Sequence, residues 1–219
     1  MSKNASGADN QQGSPLLAIT NRRLVVSDDP SETTRRAPFS RGEVVPYFQG
    51  ALHDATLNKR KRYRFAQKSR AWLEYLSVLL QYLGYNSWIY KEGQERNVYV
   101  LETLAQFLDF HYDPSALQST REQIGYVRGF FDAEGGIPHQ NHQRFYVQFV
   151  QKDWMKLAKI RKILSALEIQ SGTIHNPSKN VDPDYWRFYI STRSHRKFVE
   201  TIGSWYPTKK AIFRERMVI

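Results

Sequence analysis

Residues 125–136 read GYVRGFFDAEGG, and they are the part of the sequence that says most about how the chain folds. Gly125 and Gly129 stand one helical turn apart, a spacing that allows the backbone of a second helix to approach closely. Two acids, Asp132 and Glu134, follow near the end of the stretch, before a pair of glycines that can end a helix. The stretch therefore predicts a helix that packs against another helix and carries carboxylates at its end.

A second copy of this helix is predicted earlier in the chain. Gly50 and Gly129 are 79 positions apart, and so are Ser40 and Ser119. Each serine opens an S-x-x-E sequence, the capping box that satisfies free backbone amides at the start of a helix. We therefore predict an internal duplication.

The residues after each of these helices repeat in the same order. Strand-like stretches at 63–68 and 146–152 both end in Gln-Lys. Apolar residues then recur at spacings of three and four, from Trp72 to Leu83 and from Leu157 to Leu167, which indicates a helix in each half.

A second pair of strands is predicted in each half, so that each half reads αββαββα. These pairs are 86–90 with 97–101, and 172–175 with 186–190.

The first 38 residues differ in composition from the rest and contain no Phe, Trp or Tyr. Such a segment buries too little apolar surface to offset the entropy of ordering it. We therefore divide the chain into a flexible tail (1–38), a first repeat (39–117) and a second repeat (118–219).

The charge of the chain favours a polyanionic partner. Lys and Arg number 32 against 21 Asp and Glu, which gives a net charge of +11 and favours nucleic acid or an anionic membrane surface. The absence of Cys excludes disulfides and thiolate zinc sites. No apolar run approaches the ~18 residues that are needed to span a bilayer, and the N-terminus lacks a signal pattern. We therefore expect an intracellular protein without a membrane partner, in the cytoplasm, at the nucleoid or in an organelle.

Residues 128–135 (RGFFDAEG) and 48–56 (FQGALHDAT) resemble the motif of the LAGLIDADG homing endonucleases, in the form that has two motifs in one chain. The resemblance covers about residues 40 to 219. It implies an α+β fold of two pseudo-symmetric αββαββα repeats, with the motif helices packed at their interface and two antiparallel sheets that bind DNA. The interface glycines implied are Gly50, Gly125 and Gly129.

The resemblance also implies an activity, which is site-specific hydrolysis of double-stranded DNA with a divalent metal. The cofactor would be Mg²⁺, with Mn²⁺ as a substitute, since such a hard ion prefers carboxylate oxygens. Because the halves differ in loop length and polar content, the partner would be a long pseudo-palindromic duplex bound by a monomer. The gene would be mobile with an intron or intein, or would lie in a free-standing locus.

In this family the last acid of each motif holds the metal beside the scissile phosphate. That acid is Glu134 in the second motif, whereas the same position in the first motif is Ala55, which offers only its backbone, and Asp54 stands one residue earlier. One residue is a rotation of ~100° on a regular helix, but a tightened or unwound helix end would return the carboxylate to the site. We predict that Asp54 and Glu134 bind the metal together, and that Asp132 is an interface hydrogen-bonding or capping group.

Three further catalytic residues are implied by the resemblance. Gln67 and Gln151 stand at strand ends where the family keeps polar residues that order water, and Lys209 or its neighbour Lys210 resembles a basic residue that stabilises the phosphate. The first half offers only Arg121 or Gln118 nearby, a departure from the family pattern that leaves the basic contribution asymmetric or absent in that half.

The predicted DNA-binding side chains lie on or near the strands, where successive residues project to opposite faces. Arg and Lys suit guanine edges or phosphates, and Asn and Gln suit adenine edges. Because Arg and Lys suit both, residue type alone does not separate base contacts from phosphate contacts. The candidates are Lys59, Arg60, Lys61, Arg62, Arg64, Lys68, Arg70, Lys91, Arg96, Gln140, Asn141, His142, Gln143, Arg144, Gln148, Lys152, Lys179 and Arg187.

Two other functions remain open, because a fold does not fix a function. The first is a catalytically inactive regulator with the same fold that binds DNA, or an RNA-splicing maturase with intron RNA as its partner. Loss of one catalytic acid would favour it. The second is a ribosomal or other RNA-binding protein, which accounts for the charge and the aromatic residues but not for the motif helix.

Overall fold

The computed structural model describes residues 39–59, 61–140 and 142–217. The predicted tail at 1–38 lies outside this part of the chain, as do Arg60 and Asn141, two of the predicted DNA-binding residues.

The described part contains six α-helices and seven β-strands. The helices are α1 (Arg41–Ala51), α2 (Arg70–Tyr82), α3 (Thr120–Glu134), α4 (Trp154–Ala166), α5 (His195–Thr201) and α6 (Pro207–Met217). The strands are β1 (Ala55–Asn58), β2 (Arg62–Gln67), β3 (Ser87–Lys91), β4 (Tyr99–Thr103), β5 (Gly135–Gly136), β6 (Gln148–Gln151) and β7 (Trp186–Tyr189). The predicted α+β fold of two related halves is confirmed.

The helices α1 and α3 cross at close range because glycine lies where their backbones meet. A methyl group at Gly129 would overlap the carbonyl oxygen of Tyr47, and one at Gly50 would overlap that of Tyr126. Gly125 lies against the backbone of Glu43 in the same way. The three predicted interface glycines therefore all lie at this crossing.

The two helices begin where the serines predicted, but only one capping box forms. The Ser119 hydroxyl accepts a hydrogen bond from the amide of Glu122, whose carboxylate accepts from the Ser119 amide. The capping box predicted at Ser40 is wrong, since its hydroxyl is buried and makes no hydrogen bond to any described residue. The other bond of the box is also missing, because the carboxylate of Glu43 pairs with Arg128 of α3.

Two antiparallel sheets follow the predicted duplication, with a difference in the second half. The first sheet has the order β1-β2-β4-β3, and the second has the order β5-β6-β7. The strand predicted at 172–175 does not form, and isolated bridges at Ser171 and His175 take its place. There the side-chain amide of Asn176 donates to the carbonyl oxygens of Asp182 and Pro183 and closes a loop.

Each half has its own hydrophobic core. In the first half Phe65 and Leu101 of the sheet pack with Trp72 of α2, and in the second Phe149 and Phe188 occupy the same place. The helices thus cover one face of each sheet and leave the other face outside the cores. No helix in the described ranges is both long and apolar enough to cross a membrane.

Candidate functional site

The carboxyl ends of α1 and α3 lead directly into the first strands of the two sheets. α3 remains a regular helix up to Glu134. α1 is followed by a 3-10 helix over Leu52–Asp54, and β1 then begins at Ala55. Because a 3-10 helix winds more tightly than an α-helix, Asp54 does not point where a regular continuation of α1 would direct it.

The structure brings Asp54 and Glu134 close enough for their charges to interact. Burial and the charge of Glu134 raise the pKa of Asp54 to about 7, and Lys209 opposes that rise. The side-chain amide of Gln67 donates a hydrogen bond to Asp54 Oδ2. Three predicted site residues therefore lie together here, namely Asp54 and Gln67 of the first half and Glu134 of the second.

Glu134 has a matching environment on the other side. Burial raises its pKa, while Lys209, a hydrogen bond with Gln151 and the charge of Lys156 lower it, with a net increase. Gln151 is the last residue of β6, as Gln67 is of β2. Each carboxylate is thus held by a glutamine at a strand end, in an arrangement related by the pseudo-symmetry.

Lys209 of α6 interacts electrostatically with both acids. Its ammonium donates to the carbonyl oxygens of Phe131 at 2.6 Å, Asp132 at 2.9 Å and Gly135 at 2.7 Å. Burial lowers its pKa to about 8, against the opposing charges of Asp132, Asp54 and Glu134. All three ammonium donors therefore bind backbone carbonyls at or just beyond the end of α3.

Asp132 is a buried anchor of the interface. Its carboxylate accepts hydrogen bonds from the Tyr47 hydroxyl at 2.8 Å and from the amides of Trp205 at 2.9 Å and Tyr206 at 3.1 Å, and also from the Ser204 hydroxyl. Burial raises its pKa. These contacts hold the segment that leads into α6, which carries Lys209.

The pseudo-symmetric counterpart of Asp132 is His53, which the sequence analysis did not select. Its Nε2 lies 3.3 Å from the hydroxyl of Tyr126, where Asp132 meets Tyr47 in the other half. Burial and the charge of Lys156 lower the pKa of His53 to about 3, so its ring is neutral at neutral pH. The spacing of 79 residues between the two copies would have revealed this exchange of an acid for a histidine.

Lys156 is the second residue that sequence reasoning missed. It lies near the start of α4, and its charge acts on both Glu134 and His53. Lys156 and His53 line a cavity of about 170 Å³ together with Ala55, Tyr126 and Gln151. Its position five residues after Gln151 is the signal that could have identified it.

Arg121 and Gln118, the nearest candidates of the first half for a basic role, lie far from the two acids. Both residues are exposed beside the amino end of α3, whereas Glu134 ends that helix. A helix of this length separates its ends by roughly 20 Å, at 1.5 Å per residue.

The donor chemistry of the site fits a magnesium ion. Among residues 39–59, 61–140 and 142–217 no group of three or more His, Cys, Asp or Glu side chains could enclose a metal. Mg²⁺ does not need such a cage, because it commonly binds one or two carboxylates and takes its other ligands from water and phosphate. Asp54 and Glu134 would be those carboxylates, with the backbone carbonyl of Ala55 beside them.

The outer faces of the sheets carry four of the predicted DNA-binding residues. Strand residues alternate between faces, and Phe65, Phe149 and Phe188 point into the cores. The residues of the opposite face are Arg62, Arg64, Gln148 and Arg187.

The other predicted DNA-binding residues in the described ranges are exposed in turns, at strand ends or at helix starts. Arg70 begins α2 and pairs with Glu74 at 2.8 Å, so it is not a strand residue. The carbonyls of Gln140 and Gln143 accept from Arg216, which ties their loop to α6. The exposed residues are Lys59, Lys61, Lys68, Arg70, Lys91, Arg96, Gln140, His142, Gln143, Arg144, Lys152 and Lys179.

Comparisons with known proteins agree with this architecture. Residues 121–203 match the model of the LAGLIDADG-like domain. No curated protein sequence matches the chain.

Solved structures of two kinds share the fold. Mesophilic variants of the homing endonuclease I-DmoI are 22% identical, with a TM-score of 0.58 over 74% of this chain and 96% of theirs. I-DmoI in complex with DNA and Ca is 21% identical, with a TM-score of 0.58 over 80% and 98% of the two chains. Full-length DUF199/WhiA from Thermatoga maritima is 23% identical, with a TM-score of 0.60 over 84% of this chain and 64% of that one. The chain thus has the LAGLIDADG fold, and its second half carries a LAGLIDADG-like domain.

Proposed function

We propose that the protein is a site-specific endonuclease of the homing type that hydrolyses both strands of duplex DNA with Mg²⁺, for which Mn²⁺ substitutes. The observation that carries this proposal is the convergence of Asp54 and Glu134 at the ends of the two motif helices. Burial raises the pKa of both carboxylates, and the charge of Glu134 raises that of Asp54 further, so the pair forms a site suited to a divalent cation.

The residues of the site have distinct roles in this proposal. Gln67 and Gln151 hold the carboxylates of Asp54 and Glu134 by one hydrogen bond each, which restricts their orientation. When bound there, Mg²⁺ activates water and stabilises the leaving oxygen of the phosphodiester. Lys209 adds positive charge near the acids, and all of its donors are engaged with backbone carbonyls, so it acts on the phosphate through its field.

Duplex DNA is the partner that we propose for the outer faces of the two sheets. Structures of I-DmoI include complexes with DNA and Mn and with DNA and Ca, and the net charge of +11 favours a polyanion. Because the two halves differ in strand number and side chains, we propose a monomer on a long, imperfectly palindromic site. The repeats at 39–117 and 118–219 would each bind one half-site.

A second candidate is a regulator or maturase on the same fold that binds nucleic acid without cutting it. Ala55 favours it, because this residue stands where the last acid of the first motif is expected. The fold is shared by I-DmoI, which is named as a homing endonuclease, and by DUF199/WhiA, whose name states no such activity. The fold is therefore compatible with both candidate functions.

One experiment separates the two candidates. Duplexes that bind the protein are selected from a randomised library and then incubated with it in Mg²⁺ or Mn²⁺. Cleavage of both strands, lost in Glu134→Gln while binding persists, is the expected result. If the wild-type protein binds a selected duplex tightly and cuts neither strand with either metal, the endonuclease proposal fails and the regulator or maturase replaces it.

A further inference from the structure

A buried carboxylate lies in the outer face of the first sheet, where a surface for DNA should be basic. Glu102 belongs to the central strand β4 and pairs with Arg64 and Trp88 on the neighbouring strands. Leu101, next to it in sequence, points into the core, so Glu102 projects to the opposite side. Its side chain is nevertheless only 2% exposed.

Three donors from three different strands cover this carboxylate. The amide of Asn58 donates to Oε1 at 2.9 Å, the hydroxyl of Tyr90 donates to Oε1 at 3.0 Å, and Arg62 Nη1 donates to Oε2 at 3.1 Å. Burial raises the pKa of Glu102 and these hydrogen bonds lower it, with a net decrease. The carboxylate is therefore ionised at neutral pH and fixed in place on both oxygens.

Arg62 is held on two sides by this cluster. Its guanidinium pairs with Glu102 and lies 5.4 Å from the centre of the Trp88 ring. Its side chain is still 51% exposed, and the bond to Glu102 uses one of the five N–H donors of a guanidinium. Arg62 therefore presents a planar donor group to solvent in a restricted orientation.

We propose that Glu102 positions Arg62 to recognise a guanine in the half-site bound by the first sheet. This inference rests on the proposed binding of duplex DNA. A guanidinium matches the O6 and N7 acceptors of guanine in the major groove with two hydrogen bonds. An arginine that is already oriented loses less side-chain freedom on binding, and so discriminates more strongly between bases.

Two other arginines on the outer faces differ from Arg62 in ways that explain why it is singled out. Arg64 also pairs with a carboxylate, that of Glu92, but its side chain is only 23% exposed. Arg187 in the second sheet lies 5.3 Å from the Tyr189 ring, and among the described residues no carboxylate pairs with it. Arg62 combines a carboxylate, an aromatic ring and exposure.

The test is the base preference of the protein at each position of its selected site. Wild type is expected to prefer guanine at one position of the half-site bound by the first sheet. Arg62→Ala should lose that preference, by roughly 5- to 150-fold, with the other positions unchanged. Arg62→Lys should retain overall affinity but lose most of the preference, because an ammonium lacks the planar pair of donors.

Glu102→Gln distinguishes positioning from a simple effect of charge. If Glu102 acted only through its charge, removing that charge should strengthen binding to every DNA sequence alike. If Glu102 positions Arg62, the variant instead loses preference at the same guanine while its affinity for non-specific DNA is unchanged or higher. The control is Arg196→Ala, which removes an exposed arginine that pairs with Glu200 on α5 and should alter no preference.

The outcomes separate this inference from the proposed function. If wild type selects no duplex, the proposed DNA binding itself fails. If wild type selects a sequence but Arg62→Ala weakens binding uniformly at all positions, Arg62 contacts phosphate and the inference is wrong. Uniformly tighter binding by Glu102→Gln, with the preference intact, would also overturn it. Unchanged thermal unfolding of Arg62→Ala and Glu102→Gln would show that the comparison concerns folded proteins.

Discussion

The Tyr47 hydroxyl donates a hydrogen bond to Asp132 across the crossing of α1 and α3, at 2.8 Å. The same hydroxyl accepts from the indole of Trp72 at 3.0 Å. A buried carboxylate is thus connected to both halves of the chain. Its pseudo-symmetric counterpart joins Tyr126 to His53 at 3.3 Å.

We expect Tyr47→Phe to destabilise the protein by ~1–3 kcal/mol, because it removes one donor to Asp132 and leaves the indole of Trp72 without its acceptor. Denaturant unfolding measures the change. Tyr126→Phe is the matched control, and its longer contact with His53 predicts a smaller loss. Equal losses of unfolding free energy in the two variants would contradict the larger contribution expected from the Tyr47–Asp132 hydrogen bond.

Gly129→Ala should lower the free energy of unfolding by ~1–3 kcal/mol through overpacking, because the added methyl group meets backbone atoms of α1. Gly42→Ala is the control within a helix of the same interface, and nothing lies within 4 Å of its added methyl group. That variant should be stabilised by about 0.5–1 kcal/mol, since alanine favours a helix over glycine. Thermal unfolding of both variants should show shifts of opposite sign.

Glu134→Gln should abolish double-strand cleavage while DNA affinity stays within tenfold of wild type, because the change removes one of the two carboxylates proposed to hold the metal and spares the outer faces of the sheets. Asp54→Asn should have the same effect if both acids hold the metal. A gel that separates nicked from linear DNA is the measurement. Wild-type cleavage by Asp54→Asn would make Asp54 structural, and nicking alone would assign one acid to each strand.

Metal affinity should increase between pH 6 and pH 8. Asp54 has a pKa raised to about 7, so its carboxylate is ionised, and able to bind a cation, mainly above that pH. Bound metal favours the ionised form, and binding should therefore release a proton below pH 7. Calorimetric titration with Mg²⁺ in buffers of different ionisation enthalpy measures this release, and Asp54→Asn should remove it.

The same pKa predicts how stability depends on pH in the absence of metal. The folded protein holds the Asp54 proton more tightly than the unfolded chain, whose Asp has a pKa near 3.8. The contribution of this group to stability is therefore fully present below about pH 4 and is lost as the pH rises through about 7. Comparing unfolding of wild type and Asp54→Asn between pH 5 and pH 8 isolates it, and parallel curves would contradict the raised pKa.

The duplication, the two motif helices and their glycines follow from the sequence alone. Local spacing carries this information, because a turn of helix places Gly125 and Gly129 on one face and a helix crossing needs small residues there. The strand ends at Gln67 and Gln151 followed from the same repeated order. The strand predicted at 172–175 was wrong, since a loop closed by Asn176 competes with it.

The binding partner of each polar side chain, in contrast, depends on the tertiary structure. Ser40 and Ser119 open the same sequence pattern, yet only Ser119 forms the capping box, because Arg128 from the other half withdraws Glu43. The direction of Asp54 depends on a 3-10 turn, and the donors of Lys209 are engaged by carbonyls more than 70 residues away. Hydrogen bonds and ion pairs form between whichever groups the packed helices and sheets bring within about 3 Å, and sequence spacing does not encode those distances.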